Sequence, residues 1–267
     1  MALPDPEFVV AIVDWPSNAG AYGNVPVDAG DPRHRDPLVS IEEYSIAGES
    51  FYSRADGKNW PYCAPIDGSP SKVWCRRLVA EKLCRANARL ADDGVELYVW
   101  DAYRPITCQR GLWDFFMAKS RREMPGASDE ELRREVLKYV SDPTRFRRAD
   151  STTWPVHTSG AAVDLTIRDM KTLELCPMGA RFDEMSPVSH SDHYERGSAT
   201  GSTGAVATYR RNRRLLHWAM TSEGFLNYPL EFWHFDWGNQ MYIHNMRLLT
   251  GKAPNAAWYG YVDGPSA

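Results

Sequence analysis

The chain is short of the features that mark several broad classes. No apolar run approaches the ~20 residues needed to cross a bilayer, so a membrane span is not expected. Thirty-one lysines and arginines face 35 aspartates and glutamates, a net charge of -4. That is no basic surplus, so nucleic acid is not an expected partner. The five cysteines (Cys63, Cys75, Cys84, Cys108 and Cys176) are odd in number and lack CxxC spacing. They read as reduced, partly buried thiols, not as a disulfide framework or a zinc–thiolate cluster. The first residues carry no basic start, and the apolar stretch 9–13 is too short for a signal core before Asp14 and Pro16, so a reducing cytoplasm is the expected compartment. Internal repeats and sharp linkers are missing too.

What is present is an ordinary globular mixture with a heavy aromatic load: 43% hydrophobic, 25% charged, ten tryptophans and thirteen tyrosines, which excludes a disordered chain. Residues 1–45 hold six prolines and no sustained periodicity. They read as an N-terminal arm that Phe8, Trp15 and Tyr22 give something to pack. From Ser71 to Leu90, Cys75, Leu78, Val79, Leu83, Ala86 and Leu90 recur at helical spacing, and Asp92-Asp93-Gly94 stops that helix. A strand is predicted over 95–100, with Pro105 forcing Arg104 out of helical geometry at its exit.

A second helix is predicted over 107–119. A third follows Ser128, which with Glu131 has the spacing of a capping box. The segment 160–168 reads as a strand, with Ala161, Val163, Leu165 and Ile167 on one face and Ala162, Asp164 and Thr166 on the other. Residues 189–205, rich in Ser, Gly, Thr and His, read as a long loop and a candidate lid, with His190 and His193 at its start. A further helix is predicted over 206–223, and the aromatic stretch 230–237 is expected to be extended. The expectation is one α+β domain: a central antiparallel sheet carrying a zinc site, with helices packed on its faces. Its bounds would be 46–250, with a C-terminal tail over 251–267.

The chemistry concentrates in two places. His157-Thr-Ser-Gly160 precedes a strand that carries Asp164, and Glu231-Phe-Trp-His234 comes far downstream. A catalytic zinc site wants three ligands from His, Asp or Glu, a fourth position open to water, and a nearby carboxylate that is not a ligand. His157, Asp164 and His234 would supply the ligands, and Glu231 the base. Glu231 and His234 would point to opposite faces of a flat strand, so a bulge or the start of a strand must intervene.

Together these residues match a specific pattern. His157-x-x-Gly160-x-Ala162-x-Asp164 followed by Glu231-x-Trp233-His234 resembles the signature of the D-Ala-D-Ala peptidase and Hedgehog-like zinc metallopeptidases. Trp100-Asp101-Ala102-Tyr103-Arg104-Pro105, the segment 177–185, Ser189-His190 and Asn212-Arg213-Arg214 are similar to VanX-type D-alanyl-D-alanine dipeptidases. The likeness runs from about residue 71 to 235. It implies one zinc ion on His157, Asp164 and His234, Glu231 as general base and acid, and Arg104 stabilising the oxyanion. It further implies Asp183 on the substrate's free ammonium. Tyr103 and Trp233 flank the proposed site in sequence and are expected beside the substrate. Pro155 stands where that family usually has a serine, followed by Val156, and Phe232-Trp233 replaces a Trp-Trp pair.

The resemblance therefore points to a zinc-dependent dipeptidase, with D-Ala-D-Ala the first candidate substrate. One alternative keeps the mechanism for another dipeptide or a small biosynthetic amide, which a substrate panel would reveal. Another, of a different class, is a non-catalytic zinc-binding recognition module. Retention of both Glu231 and Arg104 counts against that alternative.

Overall fold

The computed structural model describes residues 9–11, 19–138, 140–196 and 204–265. The periodic stripe that begins at residue 71 becomes a helix only later. Strand β1 (Leu38–Ser40) is followed by β2 (Ala47–Gly48) and β3 (Trp74–Arg76), and β3 pairs antiparallel with β1. That pairing holds residues 74–76 extended, so helix α1 (Arg77–Leu90) starts six residues later than its periodicity suggests. Val79, Ala80, Leu83, Ala86 and Leu90 form its buried stripe. A short 3-10 turn and Gly94, at φ 70°, then end it as predicted.

Strand β4 (Val95–Asp101) leads through Arg104 and Pro105 into α2 (Ile106–Glu123), and α3 (Asp129–Val136) follows. Ser128 caps α3 reciprocally with Glu131: Ser128 Oγ accepts from the Glu131 amide, and the Glu131 carboxylate accepts from the Ser128 amide. Strand β5 (Ala162–Asp169), α4 (Ala205–Ser222), β6 (Leu226–Asn227), β7 (His234–Asp236) and α5 (Gln240–Thr250) complete the chain. The extended run expected over 230–237 is thus shorter. Two consecutive turns, closed by the Glu231 amide on Tyr228 O and the His234 amide on Glu231 O, occupy its first half.

The main sheet has the order β2-β4-β5-β7-β6. Its pairs are antiparallel except β2–β4, which is parallel. The expected antiparallel sheet therefore carries one parallel edge, because the chain between β2 and β4 includes α1 and returns in the same direction. Helix α1 packs on β4 and α4, and α4 also contacts β5 and β6. Leu97, Val99, Val163, Leu165, Ile167 and Phe235 are fully buried at the centre of this single α+β domain.

Both flanking stretches join that core. Val25 and Ile41 from one side and Ala257, Trp258 and Tyr259 from the other are buried in it, and Val27 bridges Ala257 in parallel. Phe8 and Trp15 lie outside the described residues, as do residues 197–203 of the predicted loop. The earlier part of that loop carries two 3-10 turns with Ser191, Tyr194 and Glu195 buried.

Candidate metal centre and substrate cavity

Strand register brings the chemistry together. Asp164 on β5 faces Asp101 of β4 on one side and His234 of β7 on the other. An irregularity between Val99 and Asp101 shifts the register there, a common device for re-aiming side chains beside a site. His157 arrives from the 3-10 turn Val156–Ser159, which Gly160 closes at φ 67°. That positive φ favours glycine, and a side chain there would also have to displace the end of Leu38 at 2.4 Å.

His157 Nε2 lies 3.3 Å from His234 Nδ1 and 3.5 Å from Asp164 Oδ2, while His234 Nδ1 lies 3.0 Å from Asp164 Oδ1. Zinc bonds of about 2.0–2.1 Å in a tetrahedron place ligand atoms roughly 3.3 Å apart. The three donors therefore fit such an ion in type and spacing, and they are the metal-competent cluster among the described residues. Each imidazole is oriented from behind. His157 Nδ1 is 2.9 Å from Ala102 O, and His234 Nε2 is 3.1 Å from Asp236 Oδ2. These contacts leave His157 Nε2 and His234 Nδ1 turned to the triad.

Electrostatics favour ligation. Burial, helped by Arg104, pushes His157 down to about 3, so its ring is neutral. Burial alone would raise Asp164, but His157, His234 and Arg104 outweigh it and hold it low. Burial opposes charge on His234, yet Asp236 and Asp164 favour its protonated ring. A divalent cation in the triad would take the place of that proton.

Glu231 sits in the turn before β7, with Oε2 3.9 Å from His234 Nδ1. The start of a strand between the two residues resolves the opposite-face conflict. Burial first, then Asp164 and Asp183, push its carboxyl up to about 8, against the pull of His234 and Arg104. Arg104 is held on several sides: Nε donates to Asp101 at 2.9 Å, Nη1 to Gln109 at 3.0 Å, and Nη2 to Tyr52 and Asp164 at 3.2 Å each.

Asp183 adopts φ 57°, a left-handed conformation tolerated by aspartate. Its Oδ2 accepts from the hydroxyls of Tyr52 at 2.9 Å and Tyr62 at 2.8 Å. Burial and Asp164 push its carboxyl up to about 7, with Arg104 and the tyrosines opposing. The preceding Phe182 stacks on Trp100 at 4.6 Å and meets Trp233 edge-on at 5.4 Å, which anchors the turn.

His157, Asp164, His234, Glu231, Arg104, Asp183 and Trp233 line one cavity of about 770 Å³, together with Val156. Tyr103 does not line it, since its hydroxyl donates instead to Val262 O. His190 and His193 do not line it either. Tyr52, Tyr62, Gln109 and Asp236 were not anticipated from sequence. Only Asp236 had a visible signal, two residues after His234 and so on the same strand face.

Comparison with known proteins identifies the family. Residues 71–249 match the Peptidase_M15 family, described as D-ala-D-ala dipeptidase. The chain is 30% identical over 192 residues to a D-alanyl-D-alanine dipeptidase of Synechocystis sp., covering 69% of this chain and 77% of that one. It is 32% identical over 174 residues to one from Streptomyces coelicolor and 30% over 175 to one from Enterococcus faecium. Both of these matches cover 64% of this chain and 77% of the relative.

Proposed function

Since the chain belongs to the D-ala-D-ala dipeptidase family and is a peptidase, we propose that it is a zinc-dependent dipeptidase acting on a small dipeptide with a free amino terminus, D-Ala-D-Ala first among the candidates. The observation that carries the reading is the convergence in one cavity of the His157–Asp164–His234 triad, the Glu231 carboxylate beside it and Asp183.

His157, Asp164 and His234 would hold a single zinc ion. When bound, zinc supplies positive charge that acidifies water and polarises the scissile carbonyl. Glu231 takes a proton from the attacking water and passes it to the leaving amine. A carboxyl pushed up to about 8 by burial suits a group that must both accept and release a proton. Arg104, fixed by Asp101 and Gln109, supplies preorganised positive charge as the carbonyl oxygen becomes negative. Asp183 receives the substrate ammonium. An N-blocked peptide leaves that buried carboxylate without its partner and is rejected.

Glu231→Gln should lower kcat about 10²–10⁴-fold while zinc content stays at one ion per chain. Wild-type turnover in that variant would remove Glu231 from the mechanism. A panel of D-Ala-D-Ala, L-Ala-L-Ala, mixed-chirality and N-acetylated dipeptides tests the substrate, with zinc-dependent cleavage of D-Ala-D-Ala expected and lost on acetylation. Val156 lines the cavity beside Pro155, so this panel also decides between alanine dipeptides and a different small amide.

A further inference from the structure

A dipeptide carries two opposite charges, and the site described so far answers only the ammonium. The carboxylate at the other end must also find a cation, or its transfer from water costs binding. Space for it exists, because cavities of ~300–1,000 Å³ hold drug-sized ligands. Two alanine residues thus fill a fraction of the 770 Å³ here. The cavity runs on into a second one of about 640 Å³, sharing Tyr22, Leu137, Ser141 and Arg145 with it, whereas Asp183, Tyr52 and Tyr62 line only the first. The ammonium end is walled by Asp183 and its tyrosines, and the continuation lies on the side of residues 134–145.

Apart from the histidines of the triad, four cationic side chains line the first cavity among the described residues: Arg104, Arg134, Lys138 and Arg145. Arg104 is committed to Asp101 and Asp164, and Lys138 is paired with Glu135. Arg134 and Arg145 form no ion pair with a described residue. Nearby carboxylates are already engaged. Glu131, whose charge Arg134 stabilises, is bound by Ser128, and Asp142 is bound by Arg133 and Thr144. Both arginines are exposed, so they reach the cavity from its mouth.

Resting on the dipeptidase reading, we propose that Arg134 and Arg145 form an anion subsite that takes the carboxylate of the substrate's second residue. The ligand class is a short amide with a free amine at one end and a free carboxylate at the other. A planar guanidinium suits a carboxylate because it offers two parallel N–H donors. The subsite acts on binding of substrate and transition state alike, so its loss raises KM and leaves kcat nearly unchanged.

The test separates this subsite from the reading it rests on. Binding of D-Ala-D-Ala and of its C-terminal amide is measured by calorimetry on zinc-loaded Glu231→Gln protein, which needs no turnover. In that background the free acid is expected to bind at least about tenfold more tightly than the amide. Arg134→Ala combined with Arg145→Ala should abolish the preference, and the paired lysine replacements should restore part of it. An acid-to-amide ratio unchanged by the double alanine variant overturns the subsite. Hydrolysis by otherwise unaltered protein is assayed in parallel. Failure to cleave any dipeptide counts against the dipeptidase reading, while the binding ratio still judges Arg134 and Arg145.

Discussion

At Asp236 a fully buried carboxylate stands 3.1 Å from His234 Nε2 and accepts the Asn239 side-chain amide at 2.7 Å. A carboxylate behind a ligating imidazole fixes the ring's orientation and raises its basicity. Asp236→Asn should therefore weaken zinc binding by about 10–100-fold, read by competition with a chromogenic chelator. Unchanged affinity would mean the contact is only packing. Asp183 makes a prediction about pH. Its folded-state carboxyl is raised from 3.8 to about 7, so below that pH it increasingly holds a proton and no longer attracts an ammonium. KM for a free-amine dipeptide should rise as pH falls below about 7, while any fall in kcat over the same range follows protonation of Glu231. The stability sign follows from the same shift: ionising a group whose folded pKa is raised costs stability at pH above it, and that cost vanishes below the unfolded value. Asp183→Asn should raise Tm by a few degrees at pH 8 and by less at pH 5. Equal Tm changes at both would contradict the buried-charge account.

Among the elements, the join between β7 and α5 couples the site to the fold. Asn239 donates to Asp236 and also caps α5, its Oδ1 accepting from the Tyr242 amide at 2.9 Å. Between them Gly238 holds φ 77°, and an added Cβ would stand 2.0 Å from Trp258 Nε1. Gly238→Ala should cost about 2–4 kcal/mol through backbone strain and overpacking and weaken zinc binding as well. Ser128→Ala, which breaks the capping box of the remote α3, should cost about 1 kcal/mol and leave zinc binding alone. Thermal melts and zinc titrations on the two variants check the contrast. The capping box was legible in sequence because it is a local pattern. The late start of α1 was not, because a pairing between β3 and β1 overrides its periodicity.

For the whole molecule, the flanking stretches belong to the same core as the sheet. Ala257, Trp258 and Tyr259 are buried, Arg76 donates to Gly260 O at 3.2 Å, and Tyr259 donates to Asp36 at 3.0 Å. Read from composition, residues 251–267 are a tail outside the zinc domain. We propose instead that the catalytic fold requires them. Deleting residues 256–267 should abolish cooperative melting or lower Tm by more than ten degrees, because several buried aromatic contacts go together. A truncated chain that melts like the full one would restore residues 251–267 as a tail outside the domain.

Local patterns along the chain account for the stripe of α1 and its stop at Gly94, the box at Ser128, the alternation of β5, and the order of His157, Asp164, Glu231 and His234. Each depends on neighbours a few residues apart or on a motif read in chain order. Tertiary structure alone decided the rest. Asp101, Asp164 and His234 are aligned by inter-strand register, which no single segment encodes. Tyr52 and Tyr62 reach Asp183 from a Pro- and Gly-rich stretch more than 120 residues away along the chain, where no periodicity marks them. Tyr103 sits beside Arg104 in sequence yet faces Val262, because the chain turns between β4 and α2 and sends the two side chains apart.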